Sequence, residues 1–516
     1  MNERFGEKPL DRLVLTAADQ RAVDAAAVAA GVPSSELMES AGRAAADWIL
    51  AHLDPANVLV IAGPGGNGGD GLVVARRLFE AGVGVGALLL ADPERMNPTS
   101  REMLDRLPEN VKVSRDLLVL DEGLASADCV VDALFGTGLS RPLAGVHQEA
   151  VDRVNVSKAR IISLDLPSGL PSDTGELLGP SIRASITLAM AFLKPAHLKF
   201  PAARSCGNVA VLPVAYPADV LQVIEPQARV CELAGIAARL PDRSPTGHKG
   251  TFGRVLVLAG SRTMAGAAVL TCRAVVRAGA GLVFLAAPQG VRDRLKGAVP
   301  EAITIPMPEV GGELAGIGDD GFRERLDQID VLVAGPGLGR RVATARAIRE
   351  AVAAFDGPIV LDADAVHAFS GHLEALTRAG ARVLITPHAG EFSAIAGVPI
   401  EEATDEAALA FACRIGVHVL LKGRPTAIAT PDGRLWLNPT GNSGLATGGS
   451  GDVLTGIIGG LVAGGATLES AAIAAAYLHG RTAEVFAAER SSRSLMPSDI
   501  IELLPYVIRE AEGQAE

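Results

Sequence analysis

The sequence predicts an α/β protein of two large domains, each built on a buried and mostly parallel sheet. Three observations carry this. The chain has 516 residues, too many for one hydrophobic core, and at roughly 150 residues per domain it holds two to four. Short runs of Val, Ile and Leu alternate with longer alanine-rich segments, the pattern of βαβ units whose strands are covered on both faces. Glycine and aspartate gather where those runs end, and the carboxyl ends of strands are where open α/β sheets bind ligands.

In chain order, the first half offers strands in VLVIAG from Val58, CVVDALFG from Cys129, RIISLDLPSG from Arg160, ITLAMAF from Ile186 and VAVLPV from Val209. The second half offers RVLVLAGS from Arg254, GLVFLAAP from Gly281, VLVAGPG from Val331, PIVLDADA from Pro358, RVLITPHAGE from Arg382 and HVLLKG from His418. Between them, Tyr216 to Gly250 is proline-rich and mixed in charge with no sustained period, which puts the domain boundary near residue 228. The expected domains are 1–227 and 228–516. The halves share a layout and no motif register, so they read as unlike domains.

Composition narrows the function classes. A formal charge of −12 argues against nucleic acid as an obligate partner, since backbone phosphates need a basic face. The five cysteines are scattered and odd in number, which fits a reducing cytoplasm. The N-terminal MNERFGEKPLDR lacks an apolar signal core, and the longest apolar runs are short and rich in glycine. A soluble cytoplasmic protein that does not engage membranes is expected. The nine histidines show no metal-ligand spacing.

In the first half, GPGGNGGDG (Gly63 to Gly71) follows a strand and precedes a helical pattern. It contains G-x-G-x-x-G with Asp92 about 24 residues on, so a nicotinamide-binding dehydrogenase domain is one reading. That reading leaves Asn67, Asp70, Asp132, GTGLSRP (Gly136 to Pro142) and DLPSG (Asp165 to Gly169) unexplained. Strand ends presenting Asn, Asp and Ser also suit an oxygen-lined cation and substrate pocket, or simple caps and turns.

Together with TAADQRAVD…ELMESAG near the N-terminus and Lys194, these segments resemble the NAD(P)H-hydrate epimerase family over about residues 14 to 225. The resemblance implies a Rossmann-like three-layer α/β sandwich. It implies potassium ligands at Asn67, Asp132 and Ser168, and a dinucleotide lined by Gly66, Asn67, Gly68, Gly69, Asp70 and by Gly136, Thr137, Gly138, Leu139, Ser140, Arg141 and Pro142. Asp165 would be the acid/base. The family usually carries two asparagines before GGDG. Here Gly66 replaces the first, removing a side-chain contact while keeping Asn67.

The second half contains NSGLATGGSGD (Asn442 to Asp452), a glycine turn running into an apolar helix. Such a turn presents backbone N–H groups and the helix dipole to an anion. An aspartate at its end is placed to take a proton from an attacking hydroxyl; a glycine and aspartate pair of helix caps is the plain alternative. With TPHAGEF (Thr386 to Phe392) and LLKGRPT (Leu420 to Thr426), the stretch resembles the ribokinase-like superfamily. Alone this series implies a small-molecule kinase.

HKGTFGRVLVLAGS, MAGAAVL, GPGLGR and LDADAV upstream are similar to the ADP-dependent NAD(P)H-hydrate dehydratase branch. By that resemblance Lys422, Gly423, Arg424, Pro425, Thr426, Asn442, Gly448, Gly449, Ser450 and Gly451 hold the nucleotide. Ala267, Gly337 and His388 contact the substrate, and Asp452 is the base. Together the two resemblances imply a bifunctional repair enzyme acting on NADHX and NADPHX. It would use potassium in one domain and magnesium with ADP in the other, and it is expected to be a homo-oligomer. A kinase with a Rossmann-like regulatory domain, and a non-catalytic first half, are the competing readings.

Overall fold

A computed structural model describes residues 11–222, 224–318 and 320–513. The chain divides into two compact units, one of Arg12–Ala228 and one that includes Arg229–Glu516.

The first unit holds seven strands: β1 (Asn57–Ala62), β2 (Gly84–Leu89), β3 (Lys112–Ser114), β4 (Cys129–Ala133), β5 (Arg160–Leu164), β6 (Ile186–Met190) and β7 (Asn208–Leu212). Their order across the sheet is β3-β2-β1-β4-β5-β6-β7, and every pair is parallel. Alternate residues of β1 serve opposite faces. Val58 and Val60 pack with Ala45 and Ile49 of helix Ser34–Leu53 and Val74 and Leu78 of helix Gly66–Glu80. Leu59 and Ile61 pack with Val151 and Val154 of helix Val146–Val156. Strands covered on both sides have to be apolar throughout, which is why they read as continuous runs. The order reverses between β1 and β4, and that reversal opens a crevice at their carboxyl ends.

The second unit contains β8 (Ala228–Cys231), β9 (Arg254–Leu258), β10 (Leu282–Pro288), β11 (Ala302–Met307), β12 (Val331–Ala334), β13 (Ile359–Leu361), β14 (Val383–Ile385), β15 (His418–Leu421), β16 (Thr426–Ala429) and β17 (Leu435–Asn438). They are ordered β8-β17-β16-β15-β14-β13-β12-β9-β10-β11. The stretch from β15 to β11 is parallel, whereas β15, β16 and β17 form antiparallel neighbours. The crevice here opens between β9 and β12. One face of the sheet is covered by helices Ala265–Arg277, Ser450–Ala463 and Pro497–Glu512, whose Cys272, Val275, Ile457, Leu461, Ile500 and Leu504 share a core with Val255 and Val257.

Two of these helices meet through glycine. A Cβ at Gly456 would lie 2.4 Å from the Thr271 carbonyl oxygen, and one at Gly460 would lie 2.7 Å from that of Val275. Backbone therefore meets backbone, which only glycine permits.

All eleven strands expected from the apolar runs are present. Additional strands occur where the sequence is short, glycine-containing or flanked by turns: Gly84–Leu89, Lys112–Ser114, Ala302–Met307, Thr426–Ala429 and Leu435–Asn438. The segment expected to be irregular contains strand Ala228–Cys231 and the short helices Ala218–Gln222 and Leu233–Ala237.

Candidate active sites

The first site is a cavity of about 630 Å³ at the carboxyl ends of β1, β4, β5 and β6. Its lining includes Gly66, Asn67, Asp70, Gly136 to Leu139, Asp165 and Lys194. Two of the glycines beneath it are sterically obligatory. A Cβ at Gly63 would fall 1.9 Å from the Leu134 carbonyl oxygen, and one at Gly68 would fall 2.0 Å from that of Gly63. Helix Gly66–Glu80 begins at Gly65 with no side-chain cap, leaving its first-turn N–H groups to a ligand.

Asp165 closes β5 with φ at 60°, a left-handed conformation uncommon for a side-chain-bearing residue and often kept at functional positions. The buried Lys194 ammonium donates to its carboxylate and to the Phe192 carbonyl at 3.1 Å. His197 completes the clasp. Its Nδ1 accepts the Lys194 N–H at 3.0 Å, so its Nε2 carries the hydrogen and donates to the Asp165 carbonyl at 2.7 Å. Burial, reinforced by the Lys194 charge, pushes this imidazole down to about 4 and keeps it neutral.

Asp132 is buried at the end of β4. It accepts from Ser163 Oγ at 2.7 Å, from Ser168 Oγ at 2.5 Å, from the Ser168 N–H at 2.9 Å and from the Leu134 N–H at 3.3 Å. Burial raises its proton affinity, and these donors oppose the shift. Beside this saturated carboxylate, the Asn67 amide is buried with neither its oxygen nor its nitrogen hydrogen-bonded. A Cβ on Gly136 would stand 3.4 Å from both Asn67 Cγ and Asp165 Oδ2, so amide and carboxylate flank the same spot. Asp70 is pushed well above the usual carboxylate range by burial and by the charges of Asp165 and Asp24.

Other expected residues fall elsewhere. Gly68 and Gly69 back the turn; Gly69 packs on Met38 and Ser100. Ser140, Arg141 and Pro142 lie past the lining residues, with Pro142 against Gly179. Asp92 caps a short turn, accepting the Glu94 N–H at 3.2 Å. A polar cluster at the rim has no sequence signature: Tyr216 donates to Asp24 at 2.5 Å and Gln20 donates to Tyr216 at 2.7 Å.

The second site gathers at the carboxyl ends of β12 to β15. Helix Ser450–Ala463 starts at Gly449 with φ at 97° and no side-chain cap; Gly65 also lacks a side-chain cap but is extended, with φ at −92°. Asp452 sits in its first turn. Burial and the neighbouring Asp362 and Asp364 raise its pKa to about 7, against the opposing pull of Lys422. Asp362 is fully buried and accepts from Thr386 Oγ1 at 2.8 Å, Lys422 Nζ at 2.7 Å and Thr455 Oγ1 at 2.8 Å. Lys422 Nζ would stand 3.4 Å from a Cβ on Gly451, placing the ammonium against the glycine turn.

Burial disfavours the Lys422 charge, but Asp362 and Glu391 outweigh it and raise its pKa. Lys422 to Thr426 join β15 to β16, and Thr426 Oγ1 donates to the Gly423 carbonyl at 3.1 Å. The hairpin therefore holds Lys422, Gly423, Arg424, Pro425 and Thr426 together.

Gly337 and Ala267 meet, a Gly337 Cβ falling 3.0 Å from Ala267 Cβ. Gly335 is pressed against the Asp362 carbonyl, and Asp364 accepts from the Gly339 N–H at 2.9 Å and from Arg340 Nε at 2.8 Å. GPGLGR and LDADAV thus interlock. His388 caps helix Ala389–Ala396: its Nδ1 accepts from the Gly390 N–H at 3.0 Å, and Glu391 Oε2 accepts its own N–H, also at 3.0 Å. Its ring is mostly exposed, and it pairs with Lys422 through a parallel bridge. Asn442 Nδ2 donates to the Ala483 carbonyl at 2.7 Å and its Oδ1 accepts the Gly444 N–H at 2.9 Å, so its side chain is engaged in shaping the loop.

Four further residues were given no role by the sequence reading. Asp362 and Thr455 are distant in sequence and meet only in the fold. His479, in helix Leu468–Glu489, is buried with Nε2 at 3.0 Å from the Ser450 carbonyl, and burial lowers it to about 4. Ser261, just past β9, is buried with its hydroxyl unpartnered. Among the described residues no three His, Cys, Asp or Glu side chains gather as a metal set, and no helix is long and apolar enough to cross a membrane.

Comparison with known proteins follows this division. Residues 34–196 match the family described as YjeF-related protein N-terminus, and residues 255–506 match NAD(P)H-hydrate dehydratase. Over 502 residues the chain is 39% identical to the bifunctional NAD(P)H-hydrate repair enzyme Nnr of Moorella thermoacetica, covering 94% of each chain. The enzyme of the same name from Thermofilum pendens is 35% identical over 492 residues, with 93% of each covered. A solved ribokinase-like superfamily protein from Enterococcus faecalis is 26% identical with a TM-score of 0.50, covering 56% of this chain and 99% of that one. The Bacillus subtilis ADP/ATP-dependent NAD(P)H-hydrate dehydratase, co-crystallized with ATP/Mg2+, is 33% identical with a TM-score of 0.46, covering 55% and 98%.

Proposed function

Because the chain belongs to the family of bifunctional NAD(P)H-hydrate repair enzymes, with epimerase and dehydratase activities in one polypeptide, we propose that Asp165 serves the first activity and Asp452 the second. The observation that carries this is a shared arrangement. In each unit a carboxylate at a carboxyl-end crevice stands near a helix start left uncapped by side chains and near a lysine paired with a carboxylate, Lys194 buried and Lys422 partly buried.

In the epimerase site, the N–H groups at Gly66 and Asn67 would receive a phosphate of the dinucleotide. The carbon bearing the ring hydroxyl inverts when water leaves and adds again from the other face. Asp165 would give and retake the proton, oriented by Lys194 and His197. Asn67, with its unpartnered amide, would be the open potassium ligand, and Asp132 and Ser168 would join it by turning oxygens from the hydrogen bond they now share. Bound there, the ion would supply fixed positive charge beside the cavity.

In the dehydratase site, ADP would lie along Lys422 to Thr426, with its transferring phosphoryl on the Gly448 to Gly451 turn. Asp452 takes the hydroxyl proton as the hydroxyl oxygen bonds to phosphorus, releasing AMP. The ring nitrogen then expels phosphate, and loss of a proton from the neighbouring ring carbon restores the reduced nicotinamide. Magnesium would travel with the nucleotide, since Mg²⁺ keeps phosphate and water ligands and needs only one or two carboxylates. Ala267, Gly337 and His388 would bound the substrate.

The test supplies mixed NADPHX epimers with potassium, magnesium and ADP and follows the absorbance of the reduced ring. Complete recovery is expected. A halt at the S fraction would overturn the Asp165 reading, and no recovery with ADP or ATP would overturn the Asp452 reading.

A further inference from the structure

Asp362 is the most enclosed charged group near the second crevice, and neither the motif reading nor the proposed chemistry uses it. Its carboxylate spends both oxygens on protein donors: Thr386 Oγ1 and Lys422 Nζ on Oδ1, and Thr455 Oγ1 on Oδ2. The three donors come from three elements: the end of β14, the end of β15 and helix Ser450–Ala463. Thr455 lies three residues beyond Asp452 on that helix, one turn on and along the same face. Asp362 Oδ2 would stand 3.8 Å, and Lys422 Nζ 3.4 Å, from a Cβ on Gly451. The buried carboxylate thus ties the lysine and the catalytic helix to one point beneath the phosphate turn.

The geometry points to Asp362 as a positioning residue for dehydration: it fixes the Lys422 ammonium at the glycine turn and, by claiming that charge, leaves Asp452 free to accept the substrate's hydroxyl proton. This rests on the reading of Asp452 as the base.

The surroundings of Asp452 agree. The charges that act on it are Asp362, Asp364 and Lys422. Asp364 is satisfied by Arg340 and the Gly339 N–H, Glu391 stands 3.9 Å from Lys422, and His479 beneath Ser450 is held neutral by burial. Among the described residues Lys422 is therefore the cation acting directly on Asp452, and Asp362 holds it at 2.7 Å. A base left with a poorly compensated charge binds its proton more tightly and removes a hydroxyl proton more readily near neutral pH.

The experiment uses the full-length chain with ADP, magnesium and (S)-NADPHX, and records kcat/KM against pH for Asp362→Asn and Lys422→Gln. The rate rises with pH as the base loses its proton. Asp362→Asn frees the Lys422 charge to act on Asp452, so the acid limb should move to lower pH by about one unit and kcat should fall. Lys422→Gln leaves Asp362 unopposed and should move the limb to higher pH. Opposite shifts are not a consequence of loosened packing.

Asp362→Glu, which keeps the charge and misplaces it, should hold the limb where it is while lowering kcat. If Asp362→Asn fails to fold, the Lys422→Gln and Asp362→Glu pair still decides. A limb that moves with Asp362→Glu, or stays put with Asp362→Asn while moving with Lys422→Gln, overturns the inference. If Lys422→Gln and Asp362→Asn both leave the limb unmoved, the assignment of Asp452 as base fails instead.

Discussion

The two crevices use the same parts and wire them differently. Each has an uncapped glycine-led helix start, a lysine paired with a carboxylate and a buried polar group without a partner, Asn67 in one and Ser261 in the other. In the first, Lys194 pairs directly with the proposed acid/base Asp165. In the second, Lys422 pairs with Asp362, and Asp452 rises to about 7 through burial and that neighbouring charge. The difference matches the two reactions. An epimerase must return a proton as readily as it takes one, and a carboxylate with its own counter-charge suits a balanced exchange. A phosphoryl acceptor needs its proton removed in one direction, and an uncompensated carboxylate is the stronger acceptor.

The strongest way to break this comparison is to remove each carboxylate in turn. Asp452→Asn should lower dehydration by about 10²- to 10⁴-fold and leave epimer exchange intact. Asp165→Ala should abolish exchange and leave dehydration of the S form. Loss of both activities in either variant, with the fold intact by circular dichroism, would mean that the sites are not independent.

Next in size are the backbone contacts that shape the first crevice. Gly63→Ala puts a methyl 1.9 Å from the Leu134 carbonyl oxygen, and because main chain has to shift, a cost of about 3 kcal/mol is expected. Denaturant unfolding would read it, and an unchanged midpoint would show that the turn relaxes freely.

The buried histidines sharpen the parallel, since each unit keeps one neutral at about 4, His197 and His479. The unfolded imidazole titrates near 6.5, so between those values the unfolded chain binds the extra proton. Each therefore contributes stability that is present above pH ~6.5 and lost as pH falls toward ~4, on the order of 3 kcal/mol. His197→Gln and His479→Gln should flatten that dependence, each in its own unit. Unfolding curves measured across the window would show it, and a slope that persists in both variants would locate the effect elsewhere.

Smallest is Gly66→Ala. A Cβ there meets nothing within 4 Å, so stability should change by less than ~1 kcal/mol. A large change in epimerase KM would then report ligand contact at that position.

Strand existence was legible because parallel strands buried on both faces have to be apolar throughout. Val58 to Ala62 and Val331 to Ala334 left little ambiguity. The glycine turns were legible too, since close backbone approach permits nothing larger. Gly84–Leu89 was hidden by its glycines, and β16 and β17 by the short turn between them. The sites were half readable. Residues clustered in one motif, such as Asn67 and Asp70, or Gly448 to Asp452, announced themselves. Thr455, His197 and His479 lie in helical stretches where a lone Thr or His looks like ordinary sequence, and their partners lie up to 93 residues away. His388 was open to two meanings, for its Nδ1 caps a helix while its ring stays exposed and pairs along the backbone with Lys422.

The glycine seam between helices Ser450–Ala463 and Ala265–Arg277 has a mechanical consequence. One helix begins at the phosphate turn and carries Asp452; the other carries Ala267, which touches Gly337. Where Gly456 and Gly460 press on the carbonyls of Thr271 and Val275, the joint has no side chain to change rotamer and no slack to take up. On the proposed reading, the donor and acceptor sides of the reaction therefore ride on one stiff strut. Their separation is set when the chain folds, and no hinge between these two helices is available to adjust it during turnover.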